Sequence, residues 1–330
     1  MRPIIKMCLF ASLAASFLAL PLASYAATCT TQTELSAPDR DLLAATGTRL
    51  AVAVERQDLT ALQAALLPAE AAEWDGIRGA VESAAPLLKG GQIQLRNVYL
   101  LDAASLTAPA DTQFFCSNSS STLTVTINMR ALPPGRYAVV LADASQASLA
   151  GQLGIILGFD SRSGDWRLAG LSVRQGTFDG HDGVWYWSRA RTLASADPWA
   201  AWYLYDAAHY LLVPVDFISS PNLEKLRTEQ SQIAGAPRES FPYSLPDGAR
   251  NWKIDALHLD ASLHEPDLGV VYESTGVTDP AALRTEAITV MSALLKAQPG
   301  LRANFHGLWA YSVTAGKQTA VMELPMAQIP

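Results

Sequence analysis

Thr122-Leu123-Thr124-Val125-Thr126-Ile127-Asn128-Met129 alternates without a break: Leu123, Val125, Ile127 and Met129 fall on one side of an extended chain, and Thr122, Thr124, Thr126 and Asn128 on the other. A period of two marks an antiparallel strand with one buried face. Strand signals of the same kind occupy 92–101, 112–116, 121–129, 136–143, 153–159 and 166–174. Pro133-Pro134-Gly135 and Asp160-Ser161-Arg162-Ser163-Gly164-Asp165 supply turns between them.

Upstream the period is helical. Ser36 precedes Pro38, Asp39 and Asp41, and Leu43, Gly47, Leu50, Ala51 and Val54 then recur on one face. Asp58 opens a second short helix closed by Pro68, and a third spans 74–89 before Gly90-Gly91. The pattern predicts an α+β fold with three N-terminal helices on a curved, mostly antiparallel, cone-like sheet.

Downstream, Asp179-Gly180-His181-Asp182-Gly183 is turn chemistry, and Asp197-Pro198 and Ser220-Pro221 start helices. A Pro-rich stretch fills 235–250. Beyond it, strands at 252–260 and 268–274, a helix at 279–298 and strands at 304–313 and 318–324 make a small ββαββ unit. The division read from sequence is an export signal at 1–26, an α+β domain at 27–178, an aromatic helical connector with a Pro-rich loop at 179–250, and the ββαββ domain at 251–330.

The run Val54-Glu55-Arg56-Gln57-Asp58-Leu59-Thr60-Ala61-Leu62-Gln63-Ala64-Ala65-Leu66-Leu67-Pro68 resembles the opening of the nuclear transport factor 2-like superfamily, which includes the SnoaL-like polyketide cyclases. The hairpin from Gly158-Phe159-Asp160 to Gly164-Asp165-Trp166-Arg167-Leu168-Ala169 is similar to that family's closing strands. The likeness covers about residues 36–176, with the Ser-rich segment 117–121 and the cysteine pair as departures. It implies an open pocket in a cone-shaped sheet and pairing of copies through that sheet. The C-terminal unit resembles no family.

Across 330 residues the chain is 49% hydrophobic and 17% charged, with a net charge of −7. Arg2 and Lys6, an apolar stretch at 7–23 broken by Pro21, and Ser24-Tyr25-Ala26 read as a secretory signal cut after Ala26. Without residues 1–26 the chain keeps 22 basic against 31 acidic side chains, which disfavours nucleic acid as a partner. No later stretch is long and apolar enough to span a bilayer. Cys8 leaves with the signal, and Cys29 and Cys116 remain to form one disulfide. Asn118-Ser119-Ser120 fits a glycosylation sequon.

The five histidines are His181, His209, His258, His264 and His306, so the first domain contains none. Its strands offer Arg96, Tyr99, Asn128 and Arg130, groups suited to binding and poor as general bases. The densest ionisable run is Asp255, His258, Asp260, His264, Glu265 and Asp267. Within it His258 and Asp260 share a strand face with His264 close by, a weak metal pattern without the His-Glu-x-x-His spacing, and no metal or other cofactor is favoured. A nucleophile elbow and a phosphate-cradling glycine loop are both lacking.

The aromatic set Trp185, Tyr186, Trp187, Trp199, Trp202, Tyr203, Tyr205 and Tyr210 reads as an interdomain packing seam or, more sharply, as a stacking surface with Trp185, Trp187 and Trp202 as ligand contacts. The preferred expectation is an exported, non-enzymatic module of the cell envelope. It binds a small apolar or cyclic ligand, or assembles as a homodimer through the N-terminal sheet. Two alternatives stand beside it. One is an enzyme of lyase, isomerase or hydrolase type with an interdomain pocket using His181, Asp182 or His209; the other is a structural partner in a surface or export machine.

Overall fold

The computed structural model describes residues 27–118, 123–146, 149–237, 241–248 and 250–330; residues 1–26, read from sequence as an export signal, and the serines of the Asn118 sequon lie outside them. Helices α1 (Ala37–Glu55) and α2 (Leu59–Ala64) begin where capping places them, and α3 (Trp74–Leu88) continues from a short 3-10 turn without a capping side chain. The Ser36 hydroxyl accepts the Asp39 N–H and the Asp58 carboxylate accepts the Ala61 N–H, satisfying donors that a helix start leaves open. α1 buries Leu43, Leu50, Ala51 and Val54. Gly47 lets it approach the sheet, since a Cβ there would lie 2.6 Å from Val140 Cγ1.

The strands that follow are β1 (Thr28–Thr31), β2 (Gln92–Asp102), β3 (Ala110–Cys116), β4 (Val125–Leu132), β5 (Arg136–Ser145), β6 (Gly151–Asp160) and β7 (Asp165–Gln175). Five of them form an antiparallel sheet in the order β1-β2-β5-β6-β7. Val98, Val140, Leu153, Ile155 and Leu157 on one face pack with the three helices. The fold is α+β, as the sequence predicts.

The alternating stretch quoted first begins as a strand at Val125, and it does not join the main sheet. β4 pairs with β3 and with the two-residue β10 (Ile218–Ser219) in a separate three-stranded sheet. Phe114, Ile127, Val215 and Ile218 then share a core with Tyr99, Leu101, Val139 and Leu141, which point from the opposite face of the main sheet. That face is covered there by the chain itself. The Cys29–Cys116 disulfide ties β1 to β3.

The second half runs β8 (Thr177–Phe178), β9 (His181–Asp182), α4 (Gly183–Leu193), α5 (Pro198–Leu212), α6 (Pro221–Ser231), β11 (Tyr243–Asp247), β12 (Arg250–Asp260), β13 (Asp267–Glu273), α7 (Pro280–Ala297), α8 (Pro299–Asn304), β14 (Gly307–Thr314) and β15 (Lys317–Pro325), with β10 between α5 and α6. The predicted ββαββ order is present. β11 is an addition from the Pro-rich stretch, which pairs along the edge of β12, where Pro246 is tolerated. The sheet order is β11-β12-β13-β14-β15, antiparallel except for the parallel pair β13–β14 that α7 and α8 connect.

Tyr203, Leu204 and Leu211 of α5 lie in one core with Trp252, Ile254, Leu268, Val290, Leu294 and Leu308. The segment read as a connector is therefore a packed layer of the second unit, because its buried aromatic and Leu residues need an apolar partner and the β12–β14 face provides it. The seam to the first sheet is made by the end of α5 and the residues after it. Val215 fills the space over Gly154, where a Cβ would lie 2.0 Å from Val215 Cγ1, and Gln152 Nε2 donates to the Leu211 carbonyl at 2.6 Å. Among the described residues no helix is long and apolar enough to cross a membrane.

Candidate functional site

Asp179 and Gly180 both adopt positive φ, 47° and 73°, as the two-residue loop of the β8–β9 hairpin. Asp-Gly is the sequence such a turn selects. The chain leaves the turn at His181, and Asp182 caps α4 by accepting the Trp185 N–H at 2.9 Å. The tight entry into α4 brings His181 of β9 over Trp185 of its first turn, and their rings stack with centroids 3.9 Å apart and planes 10° from parallel.

This stack edges a cleft of about 340 Å³ whose wall also holds Asp179, Arg189, Asn304 and His306. Trp185 is 42% exposed and is the only tryptophan of the eight that is a large exposed hydrophobic residue. The rest of the aromatic set does other things. Trp199, Tyr203 and Tyr205 are buried in the second core, Trp187 Nε1 donates to Glu229 Oε2 at 2.7 Å beneath the Arg191 guanidinium, and the Trp202 carbonyl accepts from Gln230 Nε2. The aromatic run is thus mostly core, with one ring presented to solvent.

His306 joins the cleft to a group of carboxylates. Its backbone is held from both sides, the N–H donating to the Pro266 carbonyl and the carbonyl accepting from the Met326 N–H. Its Nδ1 lies 2.8 Å from Oδ1 of Asp267, whose side chain is fully buried. Asp267, His306 and Glu323 each present a ligand-type atom within 4.8 Å of the others. Asp267 Oδ2, Glu323 Oε1 and Glu265 Oε2 are buried and make no hydrogen bond.

Burial pushes the Asp267, Glu323 and Glu265 carboxyls above the ordinary carboxylate range, with Asp267 acting further on Glu323 and Asp179 on Glu265. His306 responds in the opposite sense to burial alone: desolvation lowers its pKa, but the Asp267 hydrogen bond and the surrounding carboxylates raise it overall.

Sheet register explains the convergence. Leu268 lies beside Leu308, and Gly307 lies opposite Pro325, so Asp267 falls next to Gly307 while Glu323, opposite Trp309, shares its face one step along. A Cβ at Gly307 would lie 2.6 Å from Glu323 Oε1 and 2.9 Å from Asp267 Oδ1. The bare glycine leaves the room in which the two carboxylates meet.

The residues singled out from sequence do not gather at one point. His181 and Trp185 line the His306 cleft. Asp182 lines a separate cavity of about 420 Å³ with Arg96, which donates to Asp143 and Gln152. Tyr99 borders a third cavity, of about 180 Å³, and Asn128 and Arg130 line neither of these two; Asn128 Oδ1 accepts from Gln113 Nε2.

The His258, Asp260 and His264 pattern is not a metal cluster here. Asp260 is used by Ser262 and by the Tyr311 hydroxyl, His258 faces the Tyr311 ring, and His264 Nδ1 contacts Gln175 Oε1. Asp267 alone of that acidic run's aspartates enters the cluster with His306 and Glu323.

His209 sits apart from the cleft, its Nδ1 3.0 Å from the Arg227 guanidinium. Burial, then Arg227 and Arg174, push its pKa down to about 4, against the pull of Asp216 and Glu224. The fold prefers the neutral ring, so this contribution is full above the ordinary value of 6.5 and is lost as pH falls toward 4. His209→Asn keeps an acceptor for Arg227 without a titrating group. In urea melts it is expected to recover about 1–2 kcal/mol of the stability the native chain loses between about pH 7 and pH 4.5. Identical pH dependence in the two proteins would remove His209 from the account.

Compared with family models, curated proteins and solved structures, the chain matches none.

Proposed function

We propose that the chain is an exported, non-enzymatic binding protein of the cell envelope that seats a small ring-bearing ligand in the His306 cleft. The observation that carries this reading is the preformed His181–Trp185 stack, an exposed tryptophan held parallel to a second ring at the rim of a concave, partly polar site. An exposed aromatic face offers stacking worth about 1 kcal/mol per ring pair, and Asp179, Arg189, Asn304 and His306 offer hydrogen bonds that orient a polar ring. The disulfide fits an oxidising compartment. The likeness of residues 36–176 to the nuclear transport factor 2-like superfamily belongs to the same proposal, supported by three helices against one face of an antiparallel sheet.

Iodide quenching and ligand titration test it together. Iodide is expected to quench one emitting population of the native protein, and Trp185→Phe to remove most of it. Of a panel of monosaccharides and heterocycles, at least one is expected to change the fluorescence, with affinity weakened about fivefold or more in Trp185→Ala and unchanged in Trp187→Phe. A panel without effect, or a Trp185→Ala protein that binds like the native one, overturns the reading.

A second reading has its own observation. An imidazole in a cleft, held through Nδ1 by a buried carboxylate, is the arrangement of a general base. The enzyme alternative then rests on His306 and Asp267 in place of His181, Asp182 and His209. Turnover of any hydrolase, lyase or isomerase substrate that is lost in His306→Gln would favour it.

A further inference from the structure

We propose that Asp267, His306 and Glu323 form a binding site for one divalent transition-metal cation, of the zinc or manganese class. The site goes beyond the cleft-ligand reading and does not depend on it: His306 also lines that cleft, but Asp267 and Glu323 do not, and none of the three belongs to the His181–Trp185 stack.

Four observations carry it. The ligand-type atoms of the three side chains lie within 4.8 Å of one another, so they need draw in only to about 4 Å or less for bonds of about 2 Å to reach one ion. Asp267 is fully buried, yet its Oδ2 makes no hydrogen bond, and Glu323 Oε1 beside it is buried and equally unmatched. Buried carboxylate oxygens are ordinarily satisfied, and leaving them bare costs free energy that a bound cation recovers.

Among the described residues no Lys or Arg forms an ion pair with Asp267 or Glu323; the His306 ring beside Asp267 is the one basic group in contact, and Asp267 itself acts on Glu323. Carboxylates gathered without a Lys or Arg partner are complementary to a metal ion. Finally, Gly307 separates the two carboxylates, and any side chain there would enter the space an ion needs. One imidazole and two carboxylates suit zinc or manganese; calcium, which takes six to eight oxygens, is poorly served. Glu265, whose Oε2 is also unmatched, stands near enough to act electrostatically on the group and serves as an outer carboxylate.

The experiment uses the full chain, stripped with chelator and titrated with zinc chloride by calorimetry, with metal content measured after desalting. The native protein is expected to take up about one zinc per chain with Kd at or below about 10 µM. Glu323→Gln and His306→Gln, checked for native circular dichroism, are expected to weaken binding by about tenfold or more. His258→Gln and Trp185→Ala are expected to leave it unchanged.

The Trp185→Ala arm separates this site from the ring-binding reading, because zinc uptake survives there whether or not that reading holds. Zinc uptake below about 0.2 per chain, calcium bound in preference to zinc, or a Glu323→Gln protein with native affinity overturns the proposal.

Discussion

Reduction of the Cys29–Cys116 bond is expected to destabilise the protein by about 4–5 kcal/mol, the largest single effect foreseen for this chain. The two cysteines are 87 residues apart, and a cross-link across so long a loop removes much of the freedom of the unfolded chain. The bond also holds β1 at the margin of the main sheet. β1 has only four residues and pairs on one side, with β2, so little else retains it.

Guanidinium melts with and without reductant should therefore differ widely for the native protein and coincide for the Cys29→Ser, Cys116→Ser double variant. A native protein whose midpoint ignores reductant, with the thiols shown to be free, would refute the expectation.

The second large effect is expected at the seam between the halves. Gly154→Val places a side chain where Val215 already sits, 2.0 Å from its Cγ1 in the case of the Cβ alone. Neither neighbour yields easily: Val215 is fully buried, and Gly154 lies in a central strand between β5 and β7. Overpacking of this kind costs about 3 kcal/mol. The complementary change decides the mechanism, because Val215→Ala removes the colliding methyls and should restore more than half of the loss in the double variant. Additive losses would show that the glycine matters for its backbone and not for the contact.

Elements with local signals were legible. Ser36, Asp58, Asp197, Ser220 and Asp279 each precede a helix and cap it through the backbone N–H three residues on, so sequence alone marks where those helices start. The Asp179-Gly180 turn and the strands of the ββαββ unit were legible for the same reason.

Partnership was not. Alternation in 122–129 shows a strand with a buried face, but nothing local states that β4 joins β3 and β10 on the far side of the main sheet. The aromatic run shows helical spacing without showing which ring remains outside.

The carboxylate site depends on register alone. Asp267, His306 and Glu323 are distant in sequence, and they meet because β13 lies parallel to β14 and β14 antiparallel to β15. One signal was available: a charged Asp267 opens the apolar run Leu268, Val270, Val271 and Tyr272, and a glycine follows His306. A carboxylate at the head of a buried strand is costly enough to ask what compensates it.

The parallel β13–β14 pair also bears on how long the folded state lasts. Hairpins β12–β13 and β14–β15 close over short connections, whereas their union waits on the whole of α7 and α8. Asp267 belongs to the first hairpin, and Glu323 to the second. An ion gripped by both would hold the two hairpins together across the pairing with the longest connection, and slower unfolding with little change in folding rate is the kinetic mark expected of it.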